Sequence, residues 1–183
     1  KRLTEIRHNA FSNTDNVVQQ DQDSVVDLTD AAVETVGDAA FMAFAGTVTF
    51  SGNNLRNIGG GAFQAVRKIT FDEDFDDVNT FGIDAFVQLC DYRDRRRRND
   101  FVVPSHCTDG FAHDSRVHIS TTADNIDLLS VPTRAFDSFA GTVTFGGTFT
   151  GVETIEGRAF AGVNKVIFTA SLPAVKTIEP NVF

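Results

Sequence analysis

Six residues able to ligate a metal or carry a proton fall close together: His106, Cys107, Asp109, His113, Asp114 and His118. Zinc takes four Cys or His ligands in a structural site, or three plus water in a catalytic one, at short fixed spacing. The adjacent His106–Cys107 and the step from His113 to His118 match no such template, so the expectation is no metal centre. A cysteine nucleophile needs a histidine within hydrogen-bond reach, and no pattern along the chain sets one beside Cys107. The chain has no phosphate-cradling loop, no Gly-x-Ser-x-Gly elbow and no His-Glu-x-x-His pair. Gly59, Gly60 and Gly61 precede Ala62–Phe63, where close packing calls for small residues. The reading is a non-enzyme without a cofactor.

Two charged runs remain. Residues 72–77 hold five carboxylates in six positions, an arrangement that offers oxygens to calcium. The run lacks the glycine and closing glutamate of a helix-loop-helix calcium loop, and a solvated acidic turn is the preferred reading. Arg93, Arg95, Arg96, Arg97 and Arg98 form the one basic cluster on a chain of net charge −9. They read as a solvated loop facing the acidic turn, as a dock for an anionic partner such as a sulfated glycan, or as a processing site at Arg95–Arg98. The net charge argues against nucleic acid, whose phosphates call for clustered cations. No apolar run approaches the ~20 residues needed to cross a bilayer.

The elements that carry these residues come from a repeat. Val152, Ile155, Ala159 and Phe160 define a spacing that returns at Leu3–Phe11, Val33–Phe41, Leu55–Phe63, Val78–Phe86, Leu128–Phe136 and Val175–Phe183. A weaker copy, with a histidine at an apolar position, lies at Val103, His106, Gly110 and Phe111, making eight units. Most steps lie in the low twenties, a period that marks a solenoid with one strand per turn. Val26–Leu28, Val48–Phe50, Ile69–Phe71, Val117–Ile119, Val143–Phe145 and Val166–Phe168 have strand-like apolar ends. Ala-Gly-Thr-Val-Thr-Phe occurs twice, at 45–50 and 140–145, pointing to internal duplication. Eighteen phenylalanines, beside no tryptophan and one tyrosine, at fixed repeat positions predict an aromatic spine inside the coil. Each such ring removes ~150–250 Å² from water.

This pattern of apolar-x-x-Ile-x-x-x-Ala-Phe followed by a short strand resembles the leucine-rich repeat. It is most similar to the extracellular animal type and to the bacterial and protist surface type, whose Ile-Gly-x-x-Ala-Phe has counterparts at Val36–Gly37 and Ile58–Gly59. The resemblance covers nearly all 183 residues, with phenylalanine replacing leucine and the turn asparagine clear only at Asn53. It implies a right-handed α/β solenoid of about eight repeats, with a parallel sheet on the concave face and short helical or irregular turns opposite.

In that frame residues 1–183 are one repeat domain, a piece of a longer solenoid, with insertions at 12–25 and 90–102. An even cysteine count in an extracellular repeat protein implies a Cys90–Cys107 disulfide closing the irregular loop; two reduced, buried thiols are the alternative. Stacking in register predicts an outward row on the concave sheet: Asp27, Thr49, Thr70, Arg93, His118, Thr144 and Ile167. Thr47, Lys68, Arg116, Thr142 and Lys165 form a second row. The expected function is extracellular, non-catalytic recognition of a protein or an anionic glycan along that sheet. Self-association through open solenoid ends is the first alternative. Binding of ice or a polymer surface through the threonines is the second.

Overall fold

The computed structural model describes residues 2–12, 23–50, 54–71, 78–88, 114–119 and 128–183. The chain is a parallel β-solenoid whose thirteen strands alternate between two faces. The broad face is a six-stranded sheet of four-residue strands: β2 (Val25–Leu28), β4 (Thr47–Phe50), β6 (Lys68–Phe71), β8 (Arg116–Ile119), β10 (Thr142–Phe145) and β12 (Lys165–Phe168). The narrow face is made of two-residue strands. Its first part holds β1 (Glu5–Ile6), β3 (Thr35–Val36), β5 (Asn57–Ile58) and β7 (Thr80–Phe81). Its second part holds β9 (Ser130–Val131), β11 (Thr154–Ile155) and β13 (Thr177–Ile178). Every named pairing is parallel, and one apolar cluster runs from Ile6 to Val182.

No α-helix occurs among the described residues, so the helical side of the expected α/β architecture is absent there. The reason lies in the turn that carries the conserved spacing of Ala-Phe. The residue two before each phenylalanine is left-handed in every described turn: Asn9, Ala39, Gly61, Asp84, Arg134, Arg158 and Asn181, with φ between 53° and 61°. An L-residue costs roughly 1–2 kcal/mol in that region and cannot continue a right-handed helix. The amides consequently alternate. Ala40, Met42 and Phe44 donate locally to Gly37, Ala39 and Phe41, whereas Ala39, Phe41 and Ala43 donate to Gly60, Ala62 and Gln64 of the next turn. Half of the turn's amides thus build the solenoid instead of a helix.

The phenylalanine ladder is continuous: Phe11, Phe41, Phe63, Phe86, Phe136, Phe160 and Phe183 stack at 4.9–5.8 Å. A second set meets it edge-on, with Phe50 5.6 Å from Phe63 and Phe145 5.7 Å from Phe160. Stacked and edge-to-face pairs add ~0.5–1.5 kcal/mol beyond the area they bury. Seven ring-bearing turns are therefore described where eight units were expected. Phe86 and Phe136 are direct neighbours at 5.0 Å, and the Phe86 amide donates to the Ala135 carbonyl at 2.8 Å. The copy at Val103, His106, Gly110 and Phe111 lies outside the described residues.

Four side chains fasten that junction. Gln88, buried, donates to the Val66 carbonyl at 3.1 Å and accepts the Ala140 amide at 2.7 Å. The buried Ser115 hydroxyl accepts the Ile69 amide, and Lys68 pairs with Asp114. The duplicated Ala-Gly-Thr-Val-Thr-Phe has a packing cause as well. A Cβ on Gly46 or Gly141 would sit 2.0 Å from the carbonyl oxygen of Ser24 or Ser115, which accepts the next residue's amide. In place of an asparagine ladder, Thr148 and Ser171 form a backbone bridge.

Candidate functional site

Each broad-face strand alternates sides with period two. Val48, Phe50, Ile69, Phe71, Val117, Ile119, Val143 and Phe145 are buried, and the residues between them face outward. The outward set includes Asp27, Thr49, Thr70, His118, Thr144 and Ile167 of the expected first row. It includes Thr47, Lys68, Arg116, Thr142 and Lys165 of the second.

The rows themselves are connected differently. Asp27 is opposite Thr49, and Thr49 opposite Thr70. At the next step Thr70 pairs with Arg116, two residues before His118. Arg116 then faces Thr142, and Thr142 faces Lys165. The sheet thus joins the N-terminal part of one predicted row to the C-terminal part of the other: Asp27, Thr49, Thr70, Arg116, Thr142, Lys165. His118, Thr144 and Ile167 are left as a shorter row beside it. In the sheet β6 is hydrogen-bonded directly to β8. Arg93 and Arg95–Arg98 lie outside the described residues, as do Cys90 and Cys107, the acidic run 72–77, and His106, Asp109 and His113.

The electrostatics of this face run against those of the whole chain. Its twelve outward strand positions carry Lys68, Arg116 and Lys165 against the single carboxylate Asp27, whereas the chain has 25 acids to 16 bases. Asp27 is held below the usual carboxylate range by the Thr29 amide at 3.0 Å and the Thr29 hydroxyl at 2.8 Å. Asp114 is lowered chiefly by its hydrogen bond from Lys68, with burial opposing and Arg116 adding a smaller attraction. Lys68 is thereby committed to Asp114, while Arg116 and Lys165 are exposed. The two of them form no ion pair among the described residues.

A second polar column lies on the narrow face and was not anticipated. Thr35, Asn57 and Thr80 are in register, as are Ser130, Thr154 and Thr177. Thr80 donates to Asn57 at 3.0 Å, so its polar groups are partly satisfied within the protein. The signal was present, since the third residue of each of these units is Thr, Asn or Ser. Further along this side Asp137, almost fully buried, sits 2.8 Å from Arg158 and 3.4 Å from Arg134. Arg134 also reaches Asp84 at 3.3 Å; burial raises the Asp84 pKa, Arg134 lowers it and Asp137 raises it.

The fold defines the class: a parallel β-solenoid repeat protein. No family model, curated protein or solved structure matches this chain. Among the described residues no helix is long and apolar enough to cross a membrane.

Proposed function

We propose that this chain is an extracellular, non-catalytic recognition protein of leucine-rich-repeat-like type, wound right-handed, that binds another macromolecule along a concave broad sheet. The reading is carried by the unbroken row Asp27–Thr49–Thr70–Arg116–Thr142–Lys165, which crosses all six strands in register. It is a polar, outward surface whose charge opposes that of the whole protein. Extended sheets of this kind serve repeat proteins as binding surfaces, an analogy of fold. A Cys90–Cys107 disulfide belongs to the same reading, as does a partner that is a protein or an anionic glycan. The test is binding of the intact chain to arrays of extracellular proteins and glycans, repeated with Thr49→Glu/Thr70→Glu/Thr144→Glu. Loss of the ligand supports recognition through the sheet; full retention moves the site elsewhere.

A second reading is end-to-end assembly. Leu3, Phe11 and Val25 are exposed on one terminal turn, and Phe168, Ile178 and Phe183 on the other. In this reading the exposed apolar side chains of one end pack against those of the other end of a second copy. Light scattering that grows with concentration into long particles favours assembly, and a stable monomer argues against it. Binding of ice or a regular polymer has less support. The Thr-x-Thr strands β4 and β10 are separated by β6 and β8, which carry Lys68, Arg116 and His118.

A further inference from the structure

The row chosen by the sheet register has a charge period as well as a direction. Thr70, Arg116, Thr142 and Lys165 alternate hydroxyl and cation on successive strands. Strands lie ~4.8 Å apart, so the backbone positions of Arg116 and Lys165 lie ~9.6 Å from each other with that of Thr142 between them. One strand spacing is close to the advance of one extended pyranose unit. We infer that this row binds a linear anionic glycan lying across the strands, with a carboxylate or sulfate on alternate sugars meeting Arg116 and Lys165. Thr70 and Thr142 then face the intervening sugars, whose hydroxyls they can donate to and accept from. The inference rests on the reading of the broad sheet as the recognition face and names its partner.

Three observations favour this occupant. All the rings that define the fold point inward, and the outward positions hold no aromatic residue. Neutral polysaccharides are therefore offered no ring to stack on, and a protein partner is offered none of the Trp or Tyr anchors that dominate protein hot spots. The outward apolar side chains are Val25 and Ile167, on the first and last strands. Single-stranded nucleic acid, with a charge on every nucleotide and a need for stacking platforms, matches neither the cation period nor the polar row. Lys68 adds nothing to the period because Asp114 already holds it.

The experiment titrates the full chain with oligosaccharides of hyaluronan (one carboxylate per disaccharide), polygalacturonate (one per sugar), neutral dextran and oligo-dT, at low and high salt. The expected order places hyaluronan first, with dextran silent and binding weakened by salt as released counterions require. Arg116→Ser/Lys165→Ser should lower hyaluronan affinity by about tenfold or more, since the ion pairs to glycan carboxylates, and the counterions they release, are lost at both cations. Arg56→Ser/Lys176→Ser, which removes two cations from the other face, should leave it unchanged. Circular dichroism confirms that each variant is folded. Equal binding by the Arg116/Lys165 variant overturns the proposal, as does preference for oligo-dT or a flat response to all four polymers. If a protein ligand is instead lost on Thr49→Glu/Thr70→Glu/Thr144→Glu while no glycan binds, the glycan assignment fails and the recognition face stands. If those substitutions affect no ligand, both fail.

Discussion

The turns before residue 89 and those after residue 127 stack the same rings but close the same corner by opposite means. The residue after the second strand position is Arg7 in the opening turn and Gly37, Gly59 or Gly82 in the rest of the first region, and Pro132, Glu156 or Glu179 in the second. In the first region backbone lies directly on backbone. A Cβ at Gly59 would stand 2.5 Å from the Asp38 nitrogen, and one at Gly82 2.2 Å from the Gly60 nitrogen. In the second, carboxylates reach back to the preceding turn. Glu156 accepts the Thr133 amide, the Thr133 hydroxyl and the Ser130 hydroxyl, each at 2.9 Å, and Glu179 accepts the Gly157 amide at 2.7 Å. The lesson is that this corner keeps the same backbone bonds in both regions but packs them in two ways: glycine that lets backbone lie on backbone, with Asp38 accepting the Gly60 amide at 2.8 Å, or a glutamate that reaches back to the preceding turn.

The largest effect tests what the two regions share. Phe63→Ala and Phe136→Ala should each cost about 3–5 kcal/mol, the usual range for a buried ring, measured by urea unfolding. A much smaller loss at one site would show that the column is not common to both regions. Next comes the corner itself. Gly82→Ala should destabilise by about 1–3 kcal/mol, as overpacking against backbone does, with little dependence on pH.

Glu156 gives the contrasting behaviour. Burial works to raise its pKa, but the hydrogen bonds from Thr133 and Ser130 prevail and lower it from 4.5. A depressed folded-state value means its stabilisation is complete above pH 4.5 and is lost as pH falls through the lower folded value. Glu156→Gln should therefore cost about 1.5–3 kcal/mol at pH 7, the range for bonds to a charged group. The difference from the parent should shrink below pH 4, followed by thermal melting across pH. Asp84 has the opposite sign: its raised value makes its contribution greatest below 3.8 and lost as pH rises through the folded value.

The smallest effects sharpen the comparison at one backbone position. The left-handed residue two after the phenylalanine is Ala43 or Ala65 in the first region and Ser138 or Gly162 in the second. Ala65→Gly should gain up to about 1 kcal/mol and Gly162→Ala should lose about as much, because only glycine occupies that region without strain. Nothing lies nearer than 3.4 Å to a Cβ on Gly162, so conformation rather than crowding is measured there. The junction between the regions gives a separate check. Since Phe86, Gln88 and Ser115 bond directly across it, coexpressed halves split at Arg97–Arg98 should copurify. Halves that separate would place the cohesion in the covalent chain.

Much of this was legible in the residues themselves. The spacing of Leu55, Ile58, Ala62 and Phe63, repeated along the chain, marks which side chains turn inward, because burial selects apolar residues at the same step of every turn. Of the helical or irregular turns that the resemblance implies, the described ones are irregular, although Ala39, Arg134 and Arg158 are ordinary helix formers. The left-handed Ala39 and Arg134 donate to the Gly60 and Gly157 carbonyls of the next turn, bonds that no local propensity reports. The partner row was misjudged at one step, Thr70 to Arg116. A shift by one residue would have thrown polar side chains into the core, but a shift by two keeps the same face outward and leaves the alternation intact.

The one-dimensional pattern therefore determined the period, the aromatic interior and which residues face solvent, since each depends only on a side chain's preference for water or for its own kind. The tertiary structure decided which turn lies on which, that Phe86 meets Phe136, and that Thr70 meets Arg116. Those outcomes depend on hydrogen bonds between segments distant in sequence, where the backbone is the same whatever the side chains, and only the packed coil selects the register.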